Sequence, residues 1–317
     1  MKRFLLFAGL ALSSPAVSAW GFYAHQRINR LAIFLLPAEM GRFYKQHLPY
    51  LMESSVNPDK RRYAMVGEAA RHYLDVEAYG DSVWTRPYWK EAVAFWGEDS
   101  LQAHGIVPWH IQRMKNQLTE AFRQRNTARI LKLSAELGHY IADANVPLHT
   151  TRNYNGQLTG QTGIHAFWES RLPELHFESY DFWIGPATYV PSPAKSAWEA
   201  VRRAHACLDT LFSLERQLTI RLGESRKFVL EERGSTFQRT YSREFSEHYH
   251  TLLRDQVANQ MRASVKMTAD FWYTCWVDAG QPDLNTLLPV SDQERESDSR
   301  ERGSWIRKLL GIRDEGE

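Results

Sequence analysis

The chain has 317 residues, of which 43% are hydrophobic and 13% aromatic, enough to build a packed interior and too much for intrinsic disorder. Its 39 basic and 37 acidic side chains leave a formal charge of +2. A balance that small excludes bulk electrostatics as a reason to expect nucleic acid or a membrane surface as partner.

In chain order, a basic end (Lys2, Arg3) precedes an apolar run from Phe4 to Leu12 and a stretch closing on Val17-Ser18-Ala19, the pattern of a secretory signal peptide over residues 1–19. The run is too short to span a bilayer, and no cysteine follows that could carry a lipid. Cleavage after Ala19 would free Trp20, and the protein is expected to be exported, either periplasmic or secreted. No later segment is long and apolar enough to span, so no transmembrane segment is expected after cleavage. Apolar residues spaced by three and four then predict helices over Gln26–Leu36, Ala38–Gln46, Arg86–Phe95, Ile111–Arg123, Thr127–Ala144, Ile164–Arg171, Ala197–Leu222 and Arg243–Val277. Alternating β-branched runs are missing, and the expectation is an all-α protein with a single large multi-helix domain over residues 20–290. The stretch from Thr151 to Gly163 reads as a polar loop containing a tight Asn155-Gly156 turn. Beyond Asp278, Gly280, Pro282 and Pro289 break the pattern, and residues 291–317 are expected to be a charged, flexible tail. Within it Asp292–Arg302 reads as a solvated linker and Trp305 to Ile312 as a surface-packed or frayed tail, with a short amphipathic helix as the alternative. Cys207 and Cys275 are open to two readings, a bridge in an oxidising compartment or two free thiols.

His139 and Asp143 stand four apart on a predicted helix, so both side chains leave one face a turn apart. His165 and Glu169 repeat the arrangement, and His149 lies between. Imidazole and carboxylate together suit zinc or another borderline divalent ion. Each pair alone is more often a surface ion pair. His139 and Asp143, however, interrupt the apolar neighbourhood of Leu137, Ile141 and Ala142, where unpaired polar groups cost a few kcal/mol (about 1–3 from protein mutational data). A metal or a buried hydrogen-bond network would satisfy them.

With these residues in hand, the sequence resembles the superfamily that joins bacterial zinc-dependent phospholipase C with the single-strand-specific zinc nucleases of fungi and plants. The family's mature amino-terminal Trp, an early His, then Asp and His, a His-x-x-x-Asp-x-x-x-x-x-His run and a final His-x-x-x-Asp/Glu pair correspond to Trp20, His25, Asp59, His72, His139-Asp143-His149 and His165-Glu169. The resemblance implies the family's helical fold and a site of three zinc ions. Asp59, His72, His139 and Asp143 would hold the first, and His149, His165 and Glu169 the second. The Trp20 amine and carbonyl, with His25 and the shared Asp143, would hold the third. It further implies phosphodiester hydrolysis by a metal-activated hydroxide, with Asp59 and Asp143 catalytic and Asp59 able to take a proton from the attacking water.

Substrate stays open between a phospholipid head group and single-stranded nucleic acid. The Trp20–His25 spacing resembles the nucleases; Glu169 and the short His149–His165 interval resemble the phospholipases, and the second-site spacing tips the reading to a phospholipase C-like hydrolase, with single-strand-specific endonuclease as the alternative. Tyr73 could stack on a base. Phe22, Tyr23, Asn153, Tyr154 and Asn155 are further candidates for substrate contact, and a monomer is expected. Two rival classes remain. Glu136-x-x-His139 and Glu247-x-x-His250 match the helical motif of di-iron carboxylate bundles, and a secreted binding protein could use zinc for structure alone. The remaining histidines read as ordinary surface or core residues, with Trp109-His110 a possible exception near the site.

Overall fold

The computed structural model describes residues 21–233 and 236–309. Its architecture is all-α, with helices of every length from one turn to Gln256–Asp278. The core axis is the helix Thr127–Ala144. Asn126 caps its start by accepting from the Arg129 amide at 2.8 Å, and nearly every residue from Ser134 onward is buried. A helix apolar on all faces must be enclosed by others. Here Phe22–Ile33, Val107–Arg123 and Gln256–Asp278 enclose it.

Polar side chains fix how these helices meet. Wholly buried Asn29 donates through Nδ2 to the carbonyls of Leu51 (3.1 Å) and Ala135 (3.0 Å), joining three segments. Trp272 Nε1 donates to the Ser134 carbonyl at 3.0 Å, and the Ser134 hydroxyl bonds Tyr44 at 2.9 Å. Gly138 lets the helices of Asn29 and Thr268 approach, since a Cβ there would lie 2.0 Å from Asn29 Oδ1.

Several expectations need correction. The pattern over Ala197–Leu222 is two helices, Pro193–His205 and Leu208–Leu222, and that over Arg243–Val277 is likewise two, Arg243–Leu253 and Gln256–Asp278. The second break is at Arg254, which adopts a φ of 53°. A two-stranded antiparallel hairpin, Phe228–Arg233 with Thr236–Tyr241, interrupts the helices, Phe228 opposite Tyr241 and Glu231 opposite Gln238. Its Tyr241 ring stacks on Phe167 at 3.7 Å.

The segment read as a solvated linker is a helix, Asp292–Leu309. Ser291 and Glu294 form a reciprocal cap, with the Glu294 amide donating to Ser291 Oγ at 3.3 Å and the Ser291 amide to Glu294 Oε2 at 2.9 Å. Glu301 pairs with Lys132 at 2.6 Å, and Trp305 is buried with its ring 5.6 Å from the Arg61 guanidinium. Those anchors supply the tertiary contact that a polar helix needs. Cys207 and Cys275 are both free thiols. Among the described residues no helix is long and apolar enough to cross a membrane. The predicted signal segment 1–19 and Trp20 lie outside the described residues, as do residues 310–317 of the predicted tail.

Candidate metal centre

The central helix delivers His139 and Asp143 to one face, a turn apart and wholly buried. His72 arrives from the short turn Ala69–His72, and its Nδ1 lies 2.9 Å from Asp143 Oδ2 and 3.1 Å from His139 Nε2. His139 Nε2 is 3.2 Å from the same Asp143 oxygen. His139 Nδ1 is 2.8 Å from the Ser55 carbonyl, which can only accept, so the proton is on Nδ1 and Nε2 presents a lone pair. Ligands about 2.0–2.1 Å from a tetrahedral zinc stand roughly 3.3 Å from one another, close to the spacing here.

A second group forms where His149, from the turn Pro147–Thr150, meets His165 and Glu169. His149 Nδ1 donates to the His72 carbonyl at 2.7 Å, turning its Nε2 lone pair toward Glu169 Oε2 at 3.6 Å. His165 Nε2 is 3.1 Å from that oxygen. Glu169 lies on a wide π turn, Phe167–Arg171, just before Pro173, which offers no N–H to the Glu169 carbonyl four residues back. Gly21 is buried where a Cβ would meet Ser170 Oγ at 2.4 Å, bringing the start of the described chain beside Glu169.

His25 projects from Phe22–Ile33 and stacks on His139 at 3.9 Å, its Nε2 3.5 Å from Asp143 Oδ1. Asp143 thus faces His72 and His139 with one oxygen and His25 with the other. Asp59, from Asn57–Arg61, points Oδ1 at His72 Nδ1 (3.7 Å) and His139 Nε2 (3.8 Å). Its 8% exposure makes it the acid of the cluster that solvent reaches, against 0% for Asp143 and Glu169. Among the described residues, three sets of donor atoms therefore lie close enough to share an ion: His25, Asp59 and His139; His72, His139 and Asp143; and His149, His165 and Glu169.

The electrostatics agree with ligation. Burial, then neighbouring His139, pushes His25 well below the ordinary histidine range. Burial lowers His149, and it takes His165 down to about 3. These imidazoles are neutral at pH 7 and, among the described residues, both ring nitrogens of His25 and His165 lack hydrogen bonds, which is costly in a buried site unless a cation answers them. Burial raises Asp59 to about 8, against the pull of His72. Burial pushes Asp143 upward too, but contacts with His139 and His149 outweigh it and hold the carboxyl ionised. The donor set fits zinc.

Around this cluster the earlier candidates separate. Tyr154 is exposed, its ring edge-on to His165 at 5.7 Å. Asn153 and Asn155 bond within their loop: Asn153 Oδ1 accepts from the Leu158 amide (2.8 Å), and Asn155 Oδ1 from the Gly163 amide (3.0 Å). Tyr73 is half-buried, with its hydroxyl donating to the Ala103 carbonyl at 3.1 Å. Phe22 is exposed beneath Lys60, and Tyr23 packs on Phe177. Arg62, absent from the sequence-derived set, is half-buried with its charge acting on both Asp59 and His165; its place directly after the Asp59 turn was the available signal. His110 is buried edge-on to Tyr140 at 4.4 Å, behind His139. The di-iron reading fails, because Arg61 holds Glu136 through both oxygens at 2.6 and 2.9 Å and His250 stacks on His176 instead.

No family model matches the sequence, and no curated protein does. Among solved structures, the chain is similar to the alpha toxin from Clostridium absonum, with 12% identity and a TM-score of 0.48 over 88% of this chain and 67% of that one. It is similar as well to Clostridium perfringens alpha-toxin isolated from an avian strain, with 12% identity and a TM-score of 0.49 over 85% of this chain and 66% of that one. This chain therefore spans about two thirds of the length of each.

Proposed function

We propose that the protein is an exported zinc-dependent hydrolase of phosphodiester bonds, phospholipase C-like, with three ions in the cluster just described. The observation that carries the reading is the buried triangle of His72 Nδ1, His139 Nε2 and Asp143 Oδ2, at 2.9–3.2 Å, whose three atoms would hold a cation together once the His72 proton stands on Nε2. Asp59 would join that group. His149, His165 and Glu169 would hold a second ion and leave its fourth position open, which favours catalysis over a purely structural role. His25, Asp143 and the Trp20 amine and carbonyl would complete the third, making signal cleavage after Ala19 an activating step. The motif order from Trp20 to Glu169 supports the same assignment.

Bound there, zinc supplies Lewis acidity toward a phosphoryl oxygen and lowers the pKa of water toward neutrality. The chain's own contribution is positional. Asp59, the acid in contact with solvent, would accept a proton from the attacking water, and Arg62 would neutralise a non-bridging phosphoryl oxygen. Exposed Tyr63, Met65 and Val66 follow directly after Arg62, and exposed Tyr154 and Leu158 belong to the loop preceding His165. Apolar side chains exposed on two segments that also carry site residues support a lipid substrate over a nucleotide chain.

The test is zinc content of the mature protein together with hydrolysis of phosphatidylcholine and of single-stranded DNA by the same sample. About three zinc ions and chelator-sensitive cleavage of the lipid support the reading. Cleavage of DNA alone moves the protein to the nuclease branch, and absence of zinc removes the metal centre.

A further inference from the structure

His72 has carboxylates at both ring nitrogens competing for its one imidazole proton: Asp143 Oδ2 at 2.9 Å and Asp59 Oδ1 at 3.7 Å on the Nδ1 side, and Glu68 Oε1, 3.7 Å from Nε2, on the other. An ion in the first group requires Nδ1 as a lone pair, so the proton must then stand on Nε2, facing Glu68. We infer, resting on the metal reading above, that Glu68 is a positioning residue which holds His72 in the metal-competent tautomer.

The surroundings of Glu68 support this role. The residue is fully buried, with two hydrogen-bond donors and a further arginine ion pair converging on it. Arg71 Nη1 lies 2.6 Å and Arg61 Nε 3.0 Å from Oε2, while the Tyr140 hydroxyl donates to Oε1. A carboxyl paired with two arginines is held ionised and accepts only. Tyr140 is oriented in turn by Arg61 Nη2 at 2.9 Å. Glu136 balances Arg61, and the four charges of Arg61, Arg71, Glu68 and Glu136 cancel. Trp305, from the C-terminal helix, covers Arg61. Within this network Oε1 is the oxygen toward His72, and that ring nitrogen has no hydrogen bond among the described residues. The arrangement repeats, with a carboxylate, what the Ser55 and His72 carbonyls do for His139 and His149. Groups that orient the far nitrogen of a ligating histidine commonly tune metal affinity by about 10–100-fold.

The discriminating variant is Glu68→Gln. Two arginines at the Oε2 position repel an amide nitrogen, so the amide turns its NH2 toward His72 and opposes a proton on Nε2. Chelator competition on the purified protein should show one zinc bound roughly 10–100-fold more weakly than in the wild type, with the other ions unchanged. Glu136→Gln disturbs Arg61 without touching His72, and should leave zinc affinity within a few-fold. Should Glu68→Gln fail to fold, the His72 Nε2 proton of the zinc-loaded wild type still decides, and a hydrogen-bonded, exchange-protected resonance is expected. Unchanged zinc affinity in Glu68→Gln, equal loss in both variants, or a rapidly exchanging Nε2 proton overturns the inference. A wild type that binds no zinc fails at the metal reading itself and takes this inference with it.

Discussion

Gly138→Ala sets a small gain in helix propensity against a larger loss in packing and hydrogen bonding. In a helix interior, Ala is better than Gly by about 1 kcal/mol, so on an open face the substitution would stabilise. Here the added methyl would stand 2.0 Å from Asn29 Oδ1, 3.0 Å from Asn29 Cγ and 3.1 Å from Thr268 Cγ2. Asn29 must move, and its bonds to the Leu51 and Ala135 carbonyls stretch or break. Losing two such bonds costs about 1 kcal/mol each, and overpacking adds about 1–3 kcal/mol. After the helix gain, the net is a destabilisation of about 2–4 kcal/mol. Asn29 lies one turn beyond His25 and Gly138 directly precedes His139, so the same shift separates two rings stacked at 3.9 Å. Denaturant unfolding should be measured with chelator present, so that metal binding does not mask the change, and zinc counted separately on loaded protein. Unfolding free energy that is unchanged, or higher by the helix term alone, would refute the packing argument.

Asp143→Asn should abolish hydrolysis and lower zinc content by more than one ion, since both oxygens face ligand histidines; loss of only a few-fold in kcat would remove the shared role. Arg62→Leu should raise KM for a phosphodiester while zinc content holds, and an unchanged KM would exclude Arg62 from substrate contact. With metal removed, His25, His149 and His165 have folded pKa values below the ordinary histidine value of about 6.5, so the unfolded chain binds more protons and stability should fall as pH drops below about 6.5 toward 3, where His165 titrates. A denaturation midpoint that is flat between about pH 7 and 5 would contradict it. Asp59 has the opposite sign, because its folded value is raised from 3.8 to about 8, so its contribution is complete at low pH and lost as pH rises through about 8. Asp59→Asn should therefore make the metal-free protein more stable at alkaline pH, read from the same midpoints. Trp305→Ala should cost about 3–5 kcal/mol if the C-terminal helix is integral to the domain, and an unchanged midpoint would return that helix to a detachable tail.

The helical class was legible because most helices bury one stripe against a common axis, and spacing by three and four records that directly. Boundaries inside long patterns were not. The apolar period runs unbroken through Arg254, whose left-handed backbone turns the chain while leaving the period intact on either side. The hairpin carried a signal that helical periodicity hid, namely two short runs rich in aromatic and β-branched residues around Gly234-Ser235. The C-terminal helix had one too: Ser291-x-x-Glu294 is a capping box, but the composition behind it is so polar that only the contacts of Glu301 and Trp305 account for its docking.

The ligand candidates were visible for a different reason, since i, i+4 spacing puts His139 with Asp143 and His165 with Glu169 on shared faces whatever the rest of the fold does. What spacing could not reveal is which neighbouring acid turns toward the cluster. Glu136 lies three residues before His139 and matches a metal-binding motif, yet Arg61 engages both its oxygens. Glu68 lies four residues before His72, has no motif to distinguish it, and faces that ring. The difference comes from Arg61, which holds Glu136 away from the cluster and shares Glu68 with Arg71 and Tyr140. Glu68→Gln and Glu136→Gln thus remove equal charge from one network, and only the first should reach a metal ligand. A deficit in zinc binding confined to Glu68→Gln would trace the effect through the His72 ring, whereas equal deficits would trace it to the stability of the shared core.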